Sequence, residues 1–455
     1  MFKITHKNIK KYSDSFNKSS KNILARNAIN NAHIEDIMIN TKFLKRQNEV
    51  FSNLIDVKVS NSNQGHSGRC WIFSLVNLIR LKMIEKYSLD EYFELSQNYL
   101  HFWHKFESAN YFLNNIVKTR KEDIDSRLVY SFLDEPISDG GHWSMLINII
   151  EKYGLVPKDQ MKETVHSSHS SEVNSYLNRY LRSQASKIRQ LSDKDLNKNL
   201  ETYLDEVLKN VYKILVIFLG EPPEKINWQY YQEKESGKKK KKYISINNIS
   251  PINFYKQYVE KLYNIKNKRC LINYPCYTKP FFHKYTVEYS SNKIEGDHPV
   301  YYNIPIETMK ECVMKSIDKN EAMWMGCDVG KYASTDLGIL DTQTIDYKTI
   351  FDLDLKEDKC TLLDFREGEV SHAMIIKGYN LEKKQKYPDK YLIENSWGAH
   401  TGDNGNFVMS DDWFNQHVYM IVVDKTLIPK DIKQKFEKNK LIQLPYWSPF
   451  GRLLR

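Results

Sequence analysis

The sequence predicts an α+β protein of two packed lobes, helical in its first half and β in its last. Ile72, Leu75, Val76, Ile79 and Met83 recur at helical steps directly after Cys70. Leu196, Leu200, Leu204, Val207 and Leu208 mark a second helical face, and Ser192 is placed to cap it. Late in the chain, His372–Tyr379, Tyr391–Asn395 and Val418–Val423 are largely apolar segments that suit strands ended by turns. The chain has 455 residues, 41% of them hydrophobic and 13% aromatic, with 17 Gly and 13 Pro. That is enough apolar material for a sizeable core, and it excludes disorder and collagen-like structure.

Residues 1–160 carry a polar, helix-forming start that includes Asn22–Ala28. The polar segment Ser60–Arg69 follows, then the helix from Cys70 and an aromatic-rich helix over Leu95–Leu113. Residues 161–290 read as an insertion, helix-rich and then a hairpin. Its strands, around Trp228–Tyr231 and Tyr243–Ile246, are joined through Gly237 and the run Lys238, Lys239, Lys240, Lys241 and Lys242. Residues 291–430 form the β lobe, and 431–455 a C-terminal arm. No repeat is present.

Composition narrows the function. The longest apolar run, Ile214–Leu219, is far shorter than the ~20 residues that cross a bilayer, so no membrane span is expected. The first residues are basic with no apolar stretch behind them, so no secretory signal is expected and the cytosol is the predicted compartment. Of the net charge of +10, the lysine run supplies five and Arg452 and Arg455 two, so the body of the chain is not a basic nucleic-acid surface. The run itself supports a second reading, sequence-independent nucleic-acid binding at the hairpin tip. Six cysteines (70, 270, 276, 312, 327, 360) show no zinc-ligand spacing, and all but Cys70 are expected to be thiols in a reducing compartment.

Cys70 stands where a helix begins, and unpaired N–H groups with the positive end of the helix dipole favour a thiolate there. Gln64 lies six residues earlier, so its side-chain amide and the Cys70 backbone N–H can point at one spot and stabilise an oxyanion. Gly65 and Gly68 let backbone approach a ligand, and Trp71 follows the nucleophile. A thiolate needs a general base. His372 opens a strand and is followed 23 residues later by Asn395, whose side-chain oxygen can fix the imidazole tautomer, with Trp397 placed to shield that bond. His66 is a rival on proximity but has no orienting partner in the sequence.

Gln64-Gly65-x-Ser67-Gly68-Arg69-Cys70-Trp71, Ser371-His372-Ala373 and Glu394-Asn395-Ser396-Trp397-Gly398, in that order, resemble papain-type cysteine peptidases. Ser67 stands where secreted papains carry an extra cysteine, and His372 lies 302 residues beyond Cys70, so roughly 150 residues are inserted relative to the usual spacing. Both departures, with Asp139-Gly140-Gly141-His142-Trp143, Lys152–Pro157, Gly326–Lys331 and Leu444–Gly451, resemble the bleomycin hydrolase (aminopeptidase C) branch. The resemblance implies a papain-like two-lobe core in a cytosolic homohexamer acting on peptides, with no metal or organic cofactor. By the same resemblance Cys70 is nucleophile, His372 base and then acid, Asn395 orienter and Gln64 oxyanion donor. The C-terminal arm would lie in the cleft, where its carboxylate receives the substrate's free amine. The chain ends in Arg452-Leu453-Leu454-Arg455 rather than small apolar residues, so loss of Arg455 would leave Leu454 bearing that carboxylate.

Overall fold

The computed structural model describes residues 1–44, 48–232 and 242–454. At its centre is the helix Cys70–Tyr87, ended by left-handed Ser88 (φ 49°). The spacing of Ile72 to Met83 suggests a single apolar face, yet the helix is buried on nearly every side; even Asn77 and Arg80 are covered. It is packed between strand His372–Asn380 and helix Gln97–Thr119, so it has no solvent face along most of its length. Its polar residues are paired: the Asn77 amide donates to Glu394 at 3.0 Å, and Arg80 donates to the Ser60 carbonyl at 2.7 Å.

Ser96 caps the aromatic-rich helix by accepting from the Tyr99 N–H at 3.1 Å. Two helices, Ser171–Gln190 and Asp193–Leu219, pack on it. Ser192 caps the second of them, accepting from the Asp195 N–H. The hairpin is present as Ile226–Gln232 paired antiparallel with Lys242–Ile249. Lys242 opens the second strand; Lys238–Lys241 lie outside the described residues.

The β lobe is built on one mixed sheet. Strands Lys268–Ile272, Val418–Asp424, Met323–Cys327, His372–Asn380, Lys390–Glu394 and Asn406–Ser410 follow one another, each antiparallel to the next. The three runs legible in the sequence are all in this set. The sheet also takes up Lys268–Ile272 and Lys284–Val287, ahead of the change in character near residue 290, because these short strands carry charged residues that mask their alternation. His372 pairs with Cys327 and Ile375 with Glu394, so His372 sits at the strand's first position and Asn395 one residue past the end of its neighbour.

The C-terminal arm adds Leu441–Leu444 to the sheet edge, parallel to Lys284–Val287. Beyond it Tyr446 packs on Phe132 (ring centroids 5.4 Å apart), Trp447 lies under the Arg127 guanidinium at 4.3 Å, and buried Phe450 packs on Tyr274 at 5.3 Å.

The cysteines depart from expectation at one pair. Cys270, Cys312 and Cys327 are buried thiols, but Cys276 and Cys360 form a disulfide across 84 residues of sequence. The loop after Ile272 meets the helix Lys359–Asp364 there, and the Tyr274 hydroxyl donates to Asp364 at 2.7 Å. Sequence spacing cannot reveal a meeting made by tertiary packing. No helix among the described residues is long and apolar enough to cross a membrane.

Candidate active site

The loop before Cys70 is braced from two directions. The Gln64 N–H donates to the Ser396 carbonyl at 2.8 Å and the His66 N–H to the Ser168 carbonyl at 2.7 Å. Gly65 has φ +60°, and a Cβ there would lie 2.6 Å from the Ser168 oxygen, so the turn needs glycine. Within the loop the Ser67 hydroxyl donates to the Gln64 carbonyl at 2.6 Å, and the Arg69 Nε–H donates to the Ser67 hydroxyl at 2.8 Å. Fully buried Arg69 is paired with Glu163 of the insertion at 2.8 Å.

This bracing places Gln64, Gly68 and Cys70 in the lining of a 360 Å³ cavity that Glu135, Ser138, Asp139, Gly140, Asn174, Glu369, Ser371 and His372 complete. His66 does not line it; its ring lies beside that of His169, with centroids 5.0 Å apart. The backbone N–H groups of Ala373, which directly follows His372, and of Trp71 reach the Cys70 sulfur and favour its thiolate. Burial works against any lone ion here. It pushes the Cys70 thiol up to about 11 and the His372 imidazolium down to about 4. Proton transfer from sulfur to imidazole creates no net charge, so the ions can form only as a pair, and their titration belongs to the pair.

His372 Nε2 donates to Asn395 Oδ1 at 2.8 Å, and the same oxygen accepts the Ser396 N–H at 2.8 Å. A carbonyl oxygen only accepts, so Nε2 carries the proton and Nδ1 keeps its lone pair. The Trp397 ring lies 4.7 Å from the imidazole, centroid to centroid, and screens the bond.

Gln64 is buried and held at both ends of its amide: Oε1 accepts from the Ser396 hydroxyl at 2.7 Å, and Nε2 donates to the Ser67 carbonyl at 2.6 Å. That assigns the amide orientation and leaves the second Nε2 hydrogen for a ligand. Trp71 donates through Nε1 to the Asp139 carbonyl at 2.7 Å and meets the His104 ring edge-on.

Sequence reasoning missed the parts that hold these groups. Ser396 links Gln64 to the Asn395 segment, Asp139 holds Gly68 and Trp71 on the two sides of Cys70, and Lys105 is paired with Asp139 at 2.7 Å. Asp139 had a signal, as the acid of a run with two glycines; Lys105, set in an aromatic-rich helix, had none. Among the described residues one group of three side chains, Cys276, Cys360 and Asp364, has metal-ligand proximity, but its sulfurs are bonded to each other and none of the three lines the cavity. The C-terminal gate named from the sequence, the Leu454 side chain and Arg455, lies outside the described residues.

A helical lobe bearing a cysteine at a helix start, set against a sheet bearing a histidine hydrogen-bonded to an asparagine, defines a cysteine-type peptidase of papain-like fold. The chain belongs to the Peptidase C1-like family, whose model matches residues 3–451. It is 36% identical to bleomycin hydrolase of Homo sapiens, over 95% of this chain and 94% of that protein. It is 38% identical to aminopeptidase C of Listeria monocytogenes, over 86% of each chain. Among solved structures it is similar to PepW from Lactobacillus rhamnosis, with a TM-score of 0.91, 35% identity and 99% of both chains covered. None of these likenesses supports the nucleic-acid reading of the lysine run.

Proposed function

We propose that the chain is a cysteine aminopeptidase that removes N-terminal residues from peptides through a thioester, and that it hydrolyses small peptide-like amides as bleomycin hydrolases do by name. The observation that carries this is the meeting of Cys70, His372 and Gln64 around one cavity, with Asn395 behind the imidazole. His372 Nδ1 takes the Cys70 proton as the sulfur attacks the scissile carbonyl. The oxyanion is received by the free Gln64 Nε2–H and the Cys70 N–H. His372 then protonates the leaving amine, and water, deprotonated by the same nitrogen, opens the thioester to release the acid. Asn395 holds the imidazole plane through both steps.

The exopeptidase character is supported by the arm. Tyr446 and Phe132 line a pocket that shares Glu135, Ser138 and Gly140 with the nucleophile's cavity, so the docked arm occupies ground that a longer peptide would need. A carboxylate at Leu454, after loss of Arg455, would favour a cationic amine in this partly desolvated cleft. The same reading includes a cytosolic homohexamer; light scattering should give six times the 53.9 kDa chain mass.

The deciding experiment compares an unblocked aminoacyl-coumarin with its N-acetylated twin, for wild type and Cys70→Ser. Turnover of the free-amine substrate alone, lost in the variant, is the expected result. Equal turnover of both would keep the nucleophile and remove the amine gate; no turnover of either would overturn the proposal.

A further inference from the structure

We propose that Asp139 and Lys105 are positioning residues: a buried ion pair, completed by Asn174 of the inserted helix Ser171–Gln190 and by Ser170 just before it, that grips the nucleophile loop and balances the charge beside Cys70. The inference rests on Cys70 being the nucleophile.

Asp139 touches the chain on both sides of Cys70. Its Oδ2 accepts the Gly68 N–H at 3.0 Å, and its backbone carbonyl accepts the Trp71 indole N–H at 2.7 Å. The carboxylate is further held by Lys105 Nζ at 2.7 Å, His101 Nε2 at 3.2 Å, Asn174 Nδ2 at 3.0 Å and the Ser170 hydroxyl. Lys105 also donates to the Ser138 carbonyl at 3.2 Å and to Asn174 Oδ1. Lys105 and His101 are fully buried and Asp139 is 7% exposed. A carboxylate with this many donors is fixed in place, and what it holds is fixed with it. Ser170 directly precedes the inserted helix and turns its hydroxyl to Asp139 rather than to the helix, and Asn174 lies in the first turns, so Asp139 joins this helix to the nucleophile loop.

The charge matters as well as the grip. Burial pushes the His101 imidazolium down to about 4, so His101 is neutral at physiological pH and Lys105 alone offsets Asp139 at hydrogen-bond distance. The Asp139 charge disfavours a Cys70 thiolate, and the Lys105 cation at 2.7 Å from that carboxylate opposes its field. The other titratable groups facing the sulfur are His372, Glu135 and Glu369 across the cavity and the buried Cys327 thiol; Arg69, paired with Glu163, lies behind the loop.

A merely structural pair would give two variants with the same defect. An electrostatic and positioning pair gives opposite shifts. The test is the pH dependence of Cys70 alkylation by iodoacetamide, read at that residue by peptide mass spectrometry in the full-length protein. It needs no substrate, so failure of the peptidase reading and failure of this inference are separable. Lys105→Met should raise the midpoint by about one pH unit, and Asp139→Asn should lower it by about half a unit or more. The double variant should return to within about 0.3 units of wild type, while kcat falls about tenfold or more in each single variant with KM within about twofold. Shifts of the same sign in both single variants, or no shift in either, would overturn the proposal. Should either buried substitution prevent folding, Ser170→Ala removes one neutral donor to Asp139, and Asn174→Ala removes one donor to Asp139 and one acceptor from Lys105. In them kcat should fall about three- to tenfold at unchanged KM, and wild-type kcat in both would equally overturn it.

Discussion

Gln64→Ala tests the oxyanion assignment most directly. In the resting site one Nε2 hydrogen is spent on the Ser67 carbonyl at 2.6 Å and Oε1 accepts from Ser396 at 2.7 Å, so the free hydrogen is aimed by two bonds to the protein. Removing a preorganised donor of this kind costs about 3–4 kcal/mol of transition-state stabilisation, or about 10²–10³ in kcat, because ground-state binding hardly uses it. Loss of the two buried bonds also lowers folding stability by about 1–3 kcal/mol per unsatisfied group, visible as a Tm lower by several degrees. Gln64→Glu separates the two effects. Its carboxylate still accepts from Ser396 but repels the Ser67 carbonyl and the developing oxyanion, so kcat should fall further than in the alanine variant. The assay is steady-state kinetics on the unblocked coumarin substrate, with active sites counted by stoichiometric alkylation of Cys70. A kcat within about threefold of wild type with a raised KM would refute the reasoning and make Gln64 a substrate-binding residue only.

Acid should destabilise the fold well above the carboxylate range. Burial pushes His101 and His142 down to about 4 and His417 to about 3. The unfolded chain therefore binds more protons below about pH 6.5, and stability present above that pH is lost as it falls toward 4, by up to about 3 kcal/mol per histidine. His104, also pushed well down by burial, adds to that loss, while Asp328, raised to about 6 by burial, and Asp341 and Glu49, raised as well, act in the opposite sense. Thermal scans from pH 7.5 to 4.5 should show a steep fall in Tm, and a flat profile would contradict the assignment. Gly141→Ala would put a Cβ 2.5 Å from the Trp71 ring, so calorimetry should show a loss of about 1–3 kcal/mol, with alkylation of Cys70 slowed as the indole moves. Thiol titration of denatured, unreduced protein should count four cysteines, rising to six with reductant; six without reductant would remove the Cys276–Cys360 bridge.

The sequence by itself determined the chemistry and its order along the chain. A cysteine at a helix start with a glutamine six residues earlier, and a histidine 23 residues before an asparagine, are local patterns whose meaning depends on residue type and spacing. The three late strands were equally legible, because buried strands are continuous apolar runs. Tertiary structure decided what those patterns rest on. Lys105 lies in a helix whose sequence looks like any aromatic-rich core segment, yet packing brings it to 2.7 Å from Asp139, the carboxylate that holds the nucleophile loop. Ser396 acts on Gln64 across 332 residues, and Cys276 finds Cys360 across 84. None of these partners is favoured by local propensity. They are selected because a buried polar atom must find a partner once the two lobes close, and which atom lies within reach is a property of the packed chain.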